Sequence, residues 1–234
     1  MKAMILAAGR GERMRPLTDA TPKPLLDVGG TPLIGWHLRR LAAAGLSEVV
    51  INHAWLGTQI ESTLQDGAAY GVQIQYSPET SALETAAGIA RALPLLGDAP
   101  FLVVNGDVFT DFDFARLATA ANQLSVNSAL AHLIVVPKAG YPTGRDLTLR
   151  DGLVRPCGEN DTPYTFCGLA AYHPAFFADV PSDAPMPLLP CLLKAMAAGQ
   201  VTGECYTGEW LDVGTVERLE FARRLMAERQ ALTS

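Results

Sequence analysis

The sequence predicts a single α/β domain on a mixed, mostly parallel sheet flanked by helices, and three observations carry that expectation. Short uninterrupted apolar runs alternate with stretches of helical period through the first half, the pattern of strands covered on both faces and joined by right-handed crossovers. The chain has 234 residues, 49% of them hydrophobic, enough for one sizeable core. Its second half shows strand-like segments separated by short loops, which predicts a smaller, antiparallel-leaning lobe appended to the first.

Residues 3–8, Ala-Met-Ile-Leu-Ala-Ala, form the first apolar run and end at Gly9. The long loop that follows carries Pro16, Pro22 and Pro24, each of which fixes φ and removes a backbone donor, so residues 9–24 cannot form a regular helix. A loop of that length inside a compact domain is usually functional. From Pro32 the pattern turns helical, with Ile34, Leu38, Leu41 and Gly45 on one face, and residues 47–52 read as a second buried strand. A helix over 56–66, a strand over 72–76, a helix over 82–93 and a strand over 101–104 follow, the last stopping at Asn105-Gly106-Asp107. In the second half, residues 128–136, 147–149, 154 and 164–172 read as strands, 186–198 as a helix, 210–213 as a brief strand, and a terminal helix starts at Thr215. No linker or low-complexity tract interrupts the chain, so residues 1–234 are taken as one domain. Its halves meet near residue 110: about 1–110 as the half suited to a nucleotide, about 111–234 as the lobe with the C-terminal helix.

The net charge is −6, which argues against a nucleic-acid partner, because such proteins present a basic surface to phosphates. Charge is uneven, however. Lys2, Arg10, Arg13, Arg15 and Lys23 outnumber Glu12 and Asp19 in residues 1–25, leaving that segment at +3 and the rest at −9. Such a focus suits a compact anion, although basic surface clusters also occur without one. The four cysteines include no Cys-x-x-Cys pair and no zinc-like spacing to a histidine. No signal peptide is recognisable at Met1-Lys2, and no apolar stretch approaches the ~18 residues of a membrane span. The expectation is a cytoplasmic protein with no membrane partner.

Gly9-Arg10-Gly11-Glu12-Arg13-Met14 matches the start of a dinucleotide fingerprint but has Met where the third glycine belongs. Prolines replace the helix that should follow, and the second strand ends in Asn52-His53 where an acidic ribose ligand would stand. No Gly-Lys-Ser/Thr closes the loop as a Walker motif either. What remains is a glycine loop after a buried strand whose N–H groups can wrap phosphate oxygens while Arg13, Arg15 and Lys23 bring charge.

LAAGRGERMRP at 6–16, followed by Pro22-Lys23-Pro24, resembles the signature of the sugar-1-phosphate nucleotidyltransferases. Asn52-His53, Leu83-Glu84-Thr85, Asn105-Gly106-Asp107 and Trp210-Leu211-Asp212-Val213-Gly214-Thr215 resemble later blocks of that family, in the same order and over nearly the whole chain. Within the family, INHAWLGTQIE, YSPE, LPLLGDAPFLVVNGDV and AMAAGQVTGE are most similar to a short uridylyltransferase subgroup of peptidoglycan recycling, which lacks the C-terminal β-helix of bifunctional relatives. The resemblance implies the Rossmann-like nucleotide-diphospho-sugar transferase fold with a small sugar-binding lobe. It also implies UTP and a sugar 1-phosphate as substrates, Mg2+ as cofactor, and a monomer or small homo-oligomer. Guanylyl or thymidylyl transfer to a hexose phosphate, and a nucleotide-binding module without activity, stand as alternatives.

The family reaction needs no protein nucleophile, because a phosphate is already one; positioning and charge neutralisation supply the catalysis. By resemblance, Arg13 and Lys23 are the catalytic cations, and Ala7, Ala8, Gly9, Gly11, Glu79, Leu83 and Thr85 hold the nucleotide. Asn105, Asp146 and Gly168 are the sugar-side candidates, and Asp107 and Asp212 the metal ligands. Each has a plainer reading. Asp107 fits a turn after Asn-Gly, Asp212 a surface acid, Glu79 a cap for the helix beyond it, and Arg10 a solvated cation. Trp36, Trp55, His37 and His132 read as packing residues. Two departures from the family pattern stand out: Ala86-Ala87 where relatives carry a glycine pair, and Arg145-Asp146-Leu147 in the sugar lobe.

Overall fold

A computed structural model describes residues 1–138 and 146–233. Strands are β1 (Ala3–Leu6), β2 (Glu48–His53), β3 (Gln73–Pro78), β4 (Phe101–Asn105), β5 (Val108–Thr110), β6 (Ala131–Pro137), β7 (Leu147–Arg150), β8 (Leu153–Pro156), β9 (Tyr164–Tyr172), β10 (Val201–Cys205) and β11 (Trp210–Asp212). Helices are α1 (Leu17–Ala20), α2 (Leu33–Ala43), α3 (Gly57–Leu64), α4 (Glu84–Leu96), α5 (Phe114–Gln123), α6 (Leu188–Ala197) and α7 (Val216–Thr233).

Nine strands form one sheet in the order β3-β2-β1-β4-β9-β6-β10-β8-β7, and β11 pairs with β5 in a second, two-stranded sheet. β3, β2, β1 and β4 run parallel, as the βαβ alternation predicts. β9 enters antiparallel to both β4 and β6, and β7 and β8 continue antiparallel, so the direction changes where the second half begins. The sheet is thus continuous across both halves.

Its two faces are covered separately. Ile34, Leu38 and Leu41 of α2, Ile60 of α3, and Phe114 and Leu117 of α5 close one face over Ile5, Ile51 and Val104. Ile89 and Ala92 of α4 with Leu192 and Met196 of α6 close the other over Met4, Val50 and Val103. This two-sided burial is why β1, most of β4 and the middle of β2 are uninterrupted apolar runs, whereas the edge strand β3, Gln-Ile-Gln-Tyr-Ser-Pro, alternates.

Three elements escaped the sequence reading. α5 is capped by Asp113, whose Oδ1 accepts the Ala115 N–H at 2.9 Å, but its buried stripe of Phe114, Leu117 and Ala121 is diluted by small and polar neighbours. β10, Val-Thr-Gly-Glu-Cys, has no apolar run because only Val201 is buried, and β5 has three residues. β6 begins at Ala131 and not at 128, because Ser128 turns with a φ of 53° and the Ala129 N–H returns to the Leu124 carbonyl. Residues 9–24 contain two 3-10 turns and the single turn of α1, in keeping with the prolines. His37 is buried with its pKa pushed down to about 4 by desolvation, and it packs edge-on to Phe114 as a neutral core residue.

Candidate active site

β1 lies between β2, reached through α2, and β4, reached through α4, so the chain departs from it in both directions. Open α/β sheets bind ligands outside the carboxyl ends of their strands at such a switch point. A cavity of about 530 Å³ lies there. Ala7, Ala8, Gly9, Gly11, Arg13 and Lys23 line it from the glycine loop, Glu79, Leu83 and Thr85 from the approach to α4, and Asn105 and Asp107 from the end of β4.

The glycine loop is held by its own residues. Gly11 adopts φ +68°, and a Cβ there would lie 2.9 Å from Thr18 Cγ2, while the Thr18 hydroxyl donates to the Gly11 carbonyl at 2.8 Å. Met14, the residue standing where a dinucleotide fingerprint wants glycine, is fully buried against Leu26, Val28, Phe109, Leu211 and Val213. It therefore ties the loop to the second sheet and to α7, whose Leu219 and Met226 join the same cluster. Gly9 has open space around its Cβ position, so it leaves room beside the strand end. Arg10 stacks on the Trp55 ring at 4.5 Å, Trp55 itself donating to the Thr18 carbonyl at 3.0 Å, and Arg15 pairs with Asp19 at 3.1 Å. Of the loop's arginines, Arg13 alone lines the cavity.

Lys23 is largely buried, and its ammonium donates to Asp107 Oδ2 at 2.7 Å. The Val213 N–H donates to the Asp107 carbonyl at 2.8 Å, and Asp212 faces Val108 in the β5–β11 register, so the second sheet brings the two aspartate positions to one edge. Asp212 does not line the cavity; its Oδ2 accepts from Arg218 Nη1 at 2.9 Å. Gly214 does line it, and a Cβ there would sit 2.8 Å from Arg13 Nη2 and 3.1 Å from Asp212 Oδ1, so Arg13 and Asp212 converge on this glycine. Two hard carboxylates at one edge, flanked by cations that would meet phosphate oxygens, fit Mg2+, which commonly takes one or two carboxylates and completes its shell with water and substrate. Among the described residues no group of three or more acidic, His or Cys side chains assembles a metal cage by itself.

Beneath the nucleotide wall runs a buried polar chain that the sequence reading missed. Asn52, at the end of β2, accepts the Ala7 N–H at 3.0 Å and donates to Glu79 Oε1 at 2.7 Å; Glu79 Oε2 accepts the Leu83 N–H at 3.1 Å. Glu79 lines the cavity and closes the turn ahead of α4. A Cβ on Gly88 would fall 2.7 Å from Glu79 Oε1, which explains a glycine inside α4. The sequence offered Asn52 only as part of the Asn52-His53 block, with nothing to show that it would reach Glu79.

The Ala86-Ala87 departure also finds its reason. Both residues are fully buried, and their N–H groups donate to the Met186 carbonyl at 3.0 and 3.3 Å, so they brace α4 against the segment entering α6. Glu84 precedes them at φ +63°, a left-handed conformation seldom adopted by a residue with a side chain, on the cavity wall.

On the sugar side, Asn105 and Gly168 are brought together. Gly168 sits at φ +80° where β9 shifts register against β6, and a Cβ there would fall 2.7 Å from Asn105 Cγ. Asp146 is not brought to the cavity: it is exposed and paired with Lys138, its carbonyl accepting the Cys157 N–H at 3.0 Å. Arg145, its neighbour in the departing motif, lies outside the described residues.

A family model for nucleotidyl transferases matches residues 2–142. The N-acetylmuramate alpha-1-phosphate uridylyltransferase of Neisseria meningitidis serogroup B is 56% identical over 227 residues, 96% of this chain and 98% of that protein. The enzyme of the same name from Caulobacter vibrioides is 36% identical, covering 97% of each. A crystal structure described as a glucose-1-phosphate thymidylyltransferase from Bacillus anthracis superposes with a TM-score of 0.84 over 97% of this chain and 95% of that one, at 21% identity. Family match, full-length similarity and shared fold agree with the glycine loop and the strand-end cavity: the chain belongs to the nucleotidyl transferase family and is a sugar-1-phosphate nucleotidyltransferase.

Proposed function

We propose that the protein transfers a uridylyl group from UTP to N-acetylmuramic acid 1-phosphate, giving UDP-N-acetylmuramic acid and pyrophosphate, in peptidoglycan recycling. The observation that carries this reading is one opening lined together by the phosphate loop, the Lys23–Asp107 pair and Asn105, which gives donor and acceptor a common site. Full-length identity of 56% to an enzyme of that name supports the choice of both substrates.

The sugar phosphate supplies the nucleophile: one of its oxygens attacks the α-phosphorus of UTP, the new P–O bond forms as the bond to the β-phosphate breaks, and pyrophosphate leaves with that electron pair. The obstacle is repulsion between two anions, and relieving it is the work of pre-placed charge. Lys23, fixed at the cavity floor by Asp107, is assigned to the α-phosphate and the incoming phosphate. Arg13, beside Gly214, presents a planar fork to the leaving pyrophosphate oxygens. Asp107 and Asp212 would hold Mg2+, which when bound neutralises charge on the phosphates and orients them. The base is assigned to the strand end at Ala8–Gly9 and to the Leu83–Thr85 segment, whose geometry the Asn52–Glu79 chain fixes.

All four cysteines are free, and no helix among the described residues is long and apolar enough to cross a membrane. Pyrophosphate release measured across four nucleotides and several sugar 1-phosphates is the test. UTP with N-acetylmuramic acid 1-phosphate should give the highest kcat/KM; a better guanylyl or thymidylyl pair overturns the assignment.

A further inference from the structure

A smaller cavity, about 330 Å³ between β4, β9 and α6, adjoins the main one at Leu6, Thr85 and Asn105, and no charged side chain lines it. Charge gathers instead where β11 leads into α7, and one side chain there has no part in the chemistry above: Arg218, on Asp212. Arg218 stands in the first turn of α7, and the N-terminal end of a helix carries partial positive charge that disfavours a cation. Its place calls for a specific anion.

Asp212 is that anion, and it is gripped twice. Arg218 Nη1 donates to Asp212 Oδ2 at 2.9 Å and to the backbone carbonyl of the same residue at 3.3 Å. The root of the arginine is itself held, because Thr215 Oγ1 accepts the Arg218 N–H at 3.4 Å and the next residue, Leu219, is fully buried in the cluster that contains Met14 and Val213. The guanidinium is therefore tied to both β11 and the glycine loop.

This grip occupies one carboxylate oxygen and leaves the other. Oδ1 lies 3.1 Å from where a Cβ on Gly214 would stand, and Gly214 lines the main cavity, so the second oxygen is the one turned to the cavity edge. Arg13 Nη2 lies 2.8 Å from the same point. A carboxylate near two arginines can pair with either, and closure of Asp212 onto Arg13 would take that guanidinium from the phosphates.

Resting on the metal assignment above, we infer that Arg218 is a positioning residue: it holds Asp212 by Oδ2 so that Oδ1 faces the cavity edge for a divalent cation, and it keeps Asp212 off Arg13. Partners that orient a metal-binding carboxylate are typically worth about ten- to a hundredfold in metal affinity.

The test is Mn2+ binding to the UTP-saturated protein without acceptor, read from water proton relaxation, so that no turnover enters the measurement. Arg218→Gln should weaken Mn2+ about tenfold or more, and Arg218→Lys, which keeps the charge without the planar fork, should recover part of that loss. Asp212→Asn should weaken Mn2+ as well, and adding Arg218→Gln to it should weaken the ion little further, because the two residues act as one unit. If Arg218→Gln loses its fold by circular dichroism, Arg218→Lys carries the same comparison. Unchanged or tighter Mn2+ in the Arg218 variants, with Asp212→Asn weakened, overturns the positioning role and leaves the metal assignment intact; so do losses that simply add in the double variant. Unchanged Mn2+ in Asp212→Asn overturns the metal assignment itself. Relaxation enhancement with another nucleoside triphosphate and none with UTP overturns the donor.

Discussion

The larger cavity is walled by charge and backbone amides, with Lys23 against Asp107 and Arg13 beside Gly214, whereas its smaller neighbour carries no charged side chain at all. The first is built where four parallel strands end together, the second where β9 enters antiparallel and α6 covers it. The difference teaches how one sheet can serve two partners. Parallel strand ends leave amides and loop cations free to meet phosphate, while the antiparallel join, covered by an apolar helix, offers shape. Charged side chains are therefore concentrated on one side of Asn105 and apolar ones on the other.

The sharpest way to break that comparison is at the charged cavity. Lys23→Ala and Asp107→Asn should each lower kcat by at least ~100-fold, as loss of a group opposing developing charge does, with the fold retained by circular dichroism. Near-normal turnover at saturating Mg2+ in either variant would remove the catalytic assignment of this wall. At the boundary, Gly168→Ala places a methyl against Asn105 at φ +80°, and acceptor KM should rise about tenfold from the strain of that conformation while KM for UTP stays put. Equal changes in both would show that the two cavities do not divide the substrates. Gly88→Ala crowds Glu79 and should weaken UTP about fivefold through the Asn52–Glu79 hydrogen bond, leaving the acceptor alone, as steady-state kinetics with each substrate varied will show. The smallest effect belongs to Arg10→Ala. Arg10 lies on Trp55, and losing that contact should change kcat/KM by less than about threefold; a larger loss would mean that the loop turns Arg10 toward phosphate when substrate binds.

Much of the fold was legible in the sequence because strands buried on both faces carry apolar runs, as β1, the middle of β2 and most of β4 do; β9 was read from Tyr164 to Tyr172, as found. α5 and β10 were not, because their burial is narrow and depends on neighbours brought from elsewhere in the chain. In the site, the glycine loop, Lys23 and Asp107 were legible as residue types whose order has few physical uses. Asn52 and Gly214 stood in motifs similar to the family's, but their contacts with Glu79 and Arg13, and the pairing of Arg218 with Asp212, were not legible, because an amide, a glycine and an arginine acquire meaning only from what they touch.

By itself the sequence determined the parallel half, the proline-stiffened phosphate loop and the cations on it, since these follow from local chemistry: φ restriction, strand burial and fixed charge. Tertiary structure decided what those residues face. It set Lys23 on Asp107, spent the Ala86 and Ala87 amides on Met186, paired Asp146 with Lys138, and opened an apolar bay between β4, β9 and α6. Each of these joins segments far apart along the chain, and a contact between distant segments is fixed by how the whole sheet packs, which no local pattern encodes.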